Sequence, residues 1–131
     1  MKYTEINIEK KFLNFYKIVD DYLDNILLLE NDTNNIVKKF CYDCEYGSIE
    51  FIRHPKKSNI KKIIVHGIYI IEQYRNQGFC KEFIKYLIDK SDKQNIIIQS
   101  VLSKILYDFL LRFEYMGKRF ILIKEGFVFV K

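Results

Sequence analysis

A chain of 131 residues makes one domain, since most domains run to roughly 100–200 residues, and this excludes a two-domain enzyme or a repeat array. Hydrophobic residues at 49% and charged residues at 30% predict a packed core under a solvated surface and exclude a disordered chain. The net charge of +5 is uneven. Residues 1–60 hold 9 Lys+Arg against 10 Asp+Glu, net −1, and residues 61–131 hold 13 against 7, net +6, so a polyanionic ligand would belong to the second half.

No apolar run approaches the roughly 18 residues of a transmembrane helix, and no basic stub with an apolar run and cleavage site opens the chain. Three cysteines, an odd number, argue against a disulfide framework. A soluble cytoplasmic protein is expected.

Taken in order, residues 3–8 alternate as a short strand. From Glu9 to about Leu29 the period changes: Phe12, Tyr16, Val19, Leu23, Ile26 and Leu27 recur at three- and four-residue steps, one face of a helix with a break into two near Asp20 and Asp21. The Asn31–Asn35 cluster stops it. Residues 36–43 and 48–53 read as strands joined around Gly47, and the polar stretch from His54 to Asn59 as a turn. Lys61 to Ile71 (KKIIVHGIYII) is rich in β-branched residues and predicts a long central strand, in which Gly67 marks a bulge or a close backbone approach. Phe79 to Lys90 restores helical spacing, Asn95 to Leu102 is a second buried strand, and Ser103 is positioned to cap a helix that ends near Gly117. A hairpin over 119–124 and 127–130, turning at Glu125-Gly126, finishes the chain. The expected class is α/β with a mixed sheet, order β-α-α-β-β-β-α-β-α-β-β, in which the crossover makes strands 61–71 and 95–102 parallel neighbours.

The chemistry gathers where strand 61–71 leads through Glu72-Gln73-Tyr74 into Arg75-Asn76-Gln77-Gly78-Phe79-Cys80. A helix start carries unpaired N–H groups and the positive end of the macrodipole, a glycine there admits a phosphate to the backbone, and Arg75 adds a fixed charge, which suits a pyrophosphate. The glycine patterns of the Rossmann and P-loop folds are absent.

The segment Ile68 to Cys80, IYIIEQYRNQGFC, resembles motif A of the GNAT superfamily of acyl-CoA-dependent N-acetyltransferases, Arg/Gln-x-x-Gly-x-Gly/Ala after a strand of the type Ile-Tyr-Val. Tyr74, Arg75 and Gly78 are in place and Cys80 stands where glycine or alanine is usual. The element order over the whole chain is also similar to the family's. The resemblance implies acetyl-CoA as co-substrate and no metal, with backbone groups of Ile68, Tyr69 and Ile70 pairing with the pantetheine arm. It implies a pyrophosphate held at Arg75, Asn76, Gln77, Gly78, Phe79, Cys80 and Lys81. It also implies that the bulge at Gly67 splays this strand from its parallel neighbour, so that the cofactor inserts like a missing strand.

His66 stands where some family members carry a histidine serving the acceptor amine; alone in an apolar strand it is otherwise a core histidine. Strand parity puts it with Ile64, up to the bulge. Aligning Glu114-Tyr115 with the family's Gly-Phe puts Leu110 at its usual general-acid tyrosine and Ser103 at its asparagine, which leaves Tyr107, a turn earlier, or a water as the acid. The implied reaction is direct transfer of an acetyl group to a primary amine in a ternary complex, His66 accepting the proton and a backbone N–H near Ile68 to Ile70 facing the developing oxyanion. Asp20, Asp21 and Asp24 are candidates to attract the amine, against a bland reading as a solvated helix face.

Cys41-Tyr42-Asp43-Cys44 lacks the second pair a structural zinc needs, and it trails a strand rather than opening a helix as a redox motif would. Lys56, Lys57, Lys61 and Lys62 are a solvated hairpin end or a secondary phosphate contact. Two rival readings stay open: a catalytically silent acyl-CoA-binding domain, and a basic nucleic-acid-binding module, which lacks any reader motif. The acceptor, a small molecule or a protein amine, is not identified, no membrane partner is expected, and a homodimer is only what the family suggests.

Overall fold

A computed structural model describes residues 10–28, 37–54, 62–99, 101 and 103–131. The strand expected at 3–8, the Asn31–Asn35 stop and the lysines at 56, 57 and 61 lie outside the described residues.

The apolar stripe of the first helix builds α1, Lys10–Leu28, one continuous helix and not the two expected. Phe12, Phe15, Tyr16, Ile18, Val19 and Tyr22 are all buried, so the stripe runs through Asp20 and Asp21 without interruption. Asp20 faces outward and accepts the Tyr86 hydroxyl at 2.9 Å, which binds this stretch to a neighbouring helix instead of breaking it.

Alternation then gives β1, Lys38–Cys44, and β2, Gly47–Arg53, an antiparallel pair around a two-residue turn. The β-branched run forms β3, Lys62–Ile70, which ends one residue before the expected Ile71. After a 3₁₀ turn at Glu72–Tyr74 comes α2, Phe79–Lys90, with the expected bounds. β4 follows over Asn95–Gln99, and β3 and β4 are parallel neighbours as the crossover requires.

Ser103 caps α3, Lys104–Arg112, its Oγ accepting the Leu106 N–H at 3.3 Å. Gly117 does not end this helix. α3 stops at Arg112 because Phe113 turns extended and buries its ring beside Phe109, Phe120 and Phe129. Gly117 instead sits with Met116 in the positive-φ turn of a small hairpin, β5 (Glu114–Tyr115) with β6 (Lys118–Arg119), as a two-residue hairpin loop demands. β7 (Ile121–Ile123) and β8 (Gly126–Phe129) close the chain as a hairpin, but its turn is at Lys124-Glu125 and not at the expected Glu125-Gly126, and Arg119 belongs to β6. Gly126 sits inside β8 against β4, where a Cβ would stand 2.0 Å from the Ile98 carbonyl oxygen.

The main sheet is mixed and six-stranded, in the order β1-β2-β3-β4-β8-β7. One face carries Ile49, Phe51, Ile63, Val65, Ile96, Ile98, Phe127 and Phe129 into a single core shared with all three helices. Aromatic rings fill much of it: Tyr22 stacks on Phe51 at 3.9 Å between centroids, and Phe15 leans on Phe79 and Phe83. Ile52 and Ile64 are buried outside this cluster, on the opposite face. No helix among the described residues is long and apolar enough to cross a membrane.

Candidate functional site

The site begins with a break in pairing. Among the described residues, β3 pairs with β4 over Lys62–Val65 against Asn95–Ile98 and no further, whereas on its other edge it stays with β2 to the end, Ile70 opposite Gly47. Gly47 makes that continuation feasible: a Cβ there would lie 2.0 Å from the Tyr69 carbonyl oxygen, so only a glycine lets β2 follow the end of β3. Between these regimes Phe51 faces Val65 and Glu50 faces Gly67, leaving His66 as an extra residue in a β-bulge. The expected bulge is therefore present, one residue before the glycine.

Beyond the bulge, parity reverses. Ile68 and Ile70 pack toward the helices while Tyr69 is 53% exposed. The edge of β3 that β4 has left opens into a cavity of about 470 Å³, lined by Ile68, Tyr69, Ile70, Tyr74, Arg75, Asn76, Gly78, Phe79, Cys80 and Lys81 on one side and by Ser103, Ile105, Leu106 and Phe109 of α3 on the other.

At one end of this cavity the 3₁₀ turn delivers the chain into α2. Asn76 has φ 64° and Gly78 φ 90°, a left-handed conformation that glycine adopts without strain and asparagine tolerates. Gly78 is the N-cap of α2 and no side chain among the described residues caps the helix, so the first-turn N–H groups, including those of Cys80 and Lys81, have neither intrahelical acceptor nor a capping oxygen among those residues. Arg75 is fixed beside them: its Nε donates to the Ile70 carbonyl at 2.8 Å and its guanidinium lies over the Tyr69 ring at 5.6 Å. The arrangement is a rigid, cation-flanked set of N–H donors above an apolar slot, which suits an anion carrying an extended apolar or amide-bearing arm.

Of the ten residues expected to hold the cofactor, nine line this cavity. Gln77 does not: its amide donates to the Gln73 carbonyl at 3.3 Å and accepts from Lys11 Nζ at 3.2 Å, bracing the turn against α1. Burial pushes the Cys80 thiol from the ordinary 9.0 up to about 12, so it is an inert small side chain of the wall.

The two expected catalytic residues are elsewhere. Tyr107 is half-buried and packs edge-on against Phe127 at 5.2 Å, on the side of α3 turned from the cavity; Leu110, one turn on, is fully buried. His66 lies on the sheet face away from the helices, its Nε2 3.7 Å from Glu50 Oε1. Its Nδ1 is buried with no hydrogen-bond partner among the described residues, a condition that costs about 1–3 kcal/mol. Asp20 is engaged by Tyr86, and Asp21 and Asp24 share the same α1.

Cys41 and Cys44, three apart on β1, point to opposite faces: Cys41 donates to Glu50 Oε2 at 3.2 Å, while Cys44 packs toward the core. The hydrogen bond to Glu50, ahead of burial, pushes the Cys41 thiol above its ordinary value. No group of three or more His, Cys, Asp and Glu among the described residues is arranged to hold a metal.

Sequence reasoning missed the second wall and one neighbour. Leu106 and Phe109, three apart after Ser103, were legible only as an amphipathic stripe, and nothing local in the sequence links Glu50 to His66. No protein-family model, curated protein or solved structure matches the chain.

Proposed function

We propose that the chain is an N-acetyltransferase that binds acetyl-CoA in the β3–β4 wedge and moves the acetyl group to a primary amine. The observation that carries this reading is the wedge itself, a slot with one unpaired strand edge that ends on an uncapped, cation-flanked helix start. An arm of alternating amides and methylenes can add to the free edge of Ile68–Ile70 as a strand would, while a pyrophosphate takes the N–H groups of the first turn of α2 with Arg75 and Lys81 beside it. The net +6 of residues 61–131 favours such a polyanion.

In the reaction, the amine nitrogen bonds to the thioester carbonyl carbon, the carbon–sulfur bond breaks with its pair going to sulfur, and the amine's proton passes to a base. Alignment supplies most of the acceleration. His66, two residues from the open edge and on the other face of the sheet, is the base in this reading, and water protonates the thiolate.

Calorimetric titration with acetyl-CoA and with CoA tests the reading: saturable one-to-one binding in the micromolar range is expected, and folded protein that takes up neither sinks it. The placement of Leu110 and Tyr107 away from the cavity favours a second reading, a domain that binds acyl-CoA without turnover. Release of CoA in an amine screen separates the two.

A further inference from the structure

The sheet face opposite the cavity holds a second polar feature at the bulge. Glu50 stands on β2 with the extra residue His66 beside it and Gly67 directly opposite. Glu50 Oε2 is taken by the Cys41 thiol, and Oε1 is aimed at His66 Nε2 at 3.7 Å, too far for a hydrogen bond between them. The two side chains remain 29% and 32% accessible. Among the described residues no lysine or arginine pairs with Glu50, and the nearest charges on the same face of β1, Lys39 and Asp43, offset one another. Gly67 is not at positive φ, so its backbone does not require glycine. A Cβ there would meet only the Glu50 Cβ, at 3.8 Å. What the glycine does is leave the face open beside the carboxylate and the imidazole.

From this geometry we propose that Glu50, His66 and the space over Gly67 form the acceptor subsite, and that it takes a primary amine as a net cation. The inference rests on the acetyltransferase reading for its chemistry. One ammonium nitrogen can bridge Glu50 Oε1 and His66 Nε2, because two acceptors 3.7 Å apart can both lie about 2.9 Å from one donor centre. The ammonium gives a proton to Nε2, the carboxylate stabilises the imidazolium so formed, and the neutral amine left between them attacks through the wedge that starts at the next residues of β3. An acceptor bearing a phosphate or carboxylate near the amine is repelled by the Glu50 carboxylate, which disfavours amino-sugar phosphates and free amino acids against alkyl diamines and similar cations.

The test uses the full chain with labelled histidine, following the imidazole signals of His66 and, as internal control, His54. Titration with 1,4-diaminobutane is expected to move the His66 signals saturably and leave His54 still, while 1,4-butanediol moves neither. Glu50→Gln weakens the diamine response about ten-fold and raises KM for the diamine by the same factor with KM for acetyl-CoA unchanged. Gly67→Val, which fills the space, abolishes the diamine response and keeps the heat of CoA binding. Should Glu50→Gln fail to fold, the wild-type diamine and diol titrations and Gly67→Val decide. A His66 signal that ignores the diamine, answers the diol equally, or responds unchanged in both variants overturns the subsite. Failure of CoA binding with the diamine response intact overturns the acetyltransferase reading instead.

Discussion

The two halves of β3 have nearly the same composition and opposite fates. In the first half Ile63, Ile64 and Val65 are 1%, 2% and 0% exposed, with a strand hydrogen-bonded on either edge. In the second half Ile68 and Ile70 are only half-buried, Tyr69 is exposed, and among the described residues just one edge is paired. A single extra residue at His66 divides them. The lesson is that an apolar strand is left open to a ligand when its neighbour leaves, because the freed N–H and C=O groups and the uncovered side chains can then take another partner.

The largest test of that contrast removes the same side chain from each half. Ile63→Ala should lose about 3–4 kcal/mol of stability, through lost burial and the cavity left behind. Ile68→Ala should lose about 1 kcal/mol yet weaken acetyl-CoA binding. Guanidinium unfolding and calorimetry on both variants read the exchange, and equal stability losses would erase the distinction between halves.

Next in size is Gly78→Val. A β-branched residue at φ 90° carries about 2 kcal/mol of strain and points a side chain at the anion cradle, so both the unfolding midpoint and the affinity for CoA should fall. The affinity loss should exceed that of an alanine at the exposed Gln77, whose side chain faces away from the cavity.

The cavity wall also predicts a pH dependence. Burial raises the Cys80 pKa in the folded state to about 12, from 9.0, so the folded protein keeps a proton that the unfolded chain releases. Stability from this group is complete below 9.0, falls as pH rises, and is lost on passing 12. The deficit should be about 1–2 kcal/mol near pH 10.5, read as the difference in pH profile between the wild type and Cys80→Ala, which removes the group. Identical profiles would mean that the wall is as wet as the surface.

Smallest in stability is Arg75→Gln. The side chain is exposed, and its tie to Ile70 and Tyr69 should be worth no more than about 1 kcal/mol. On the proposed function, affinity for CoA should nevertheless drop about ten-fold and its salt dependence should flatten, because the charge assigned there to the phosphates has gone.

Local signals carried much of the fold. The 3.6-residue stripe of Phe79–Lys90 marked α2 to its ends, and Ser103 marked the start of α3, since capping and amphipathicity are properties of neighbouring residues. The β-branched run and the following helix implied the parallel pair. Reasoning failed where distant packing overruled a local cue. Asp20 and Asp21 looked like a helix break, but Tyr86 supplies an outward partner and the buried stripe continues beneath them. Gly117 looked like a helix cap, but the burial of Phe113 ended the helix four residues earlier.

The candidate site divides the same way. The composition of Arg75–Lys81, an arginine, a glycine and a helix start, was readable in the sequence because a turn is built from consecutive residues. The wedge, the wall that α3 adds to it, the turning away of Tyr107 and the meeting of Glu50 with His66 were decided only by the tertiary structure. Each depends on which strand β3 follows after its bulge, and that is settled by Gly47 and Phe51 on β2 and by where β4 ends, residues that no local pattern in 66–81 contains.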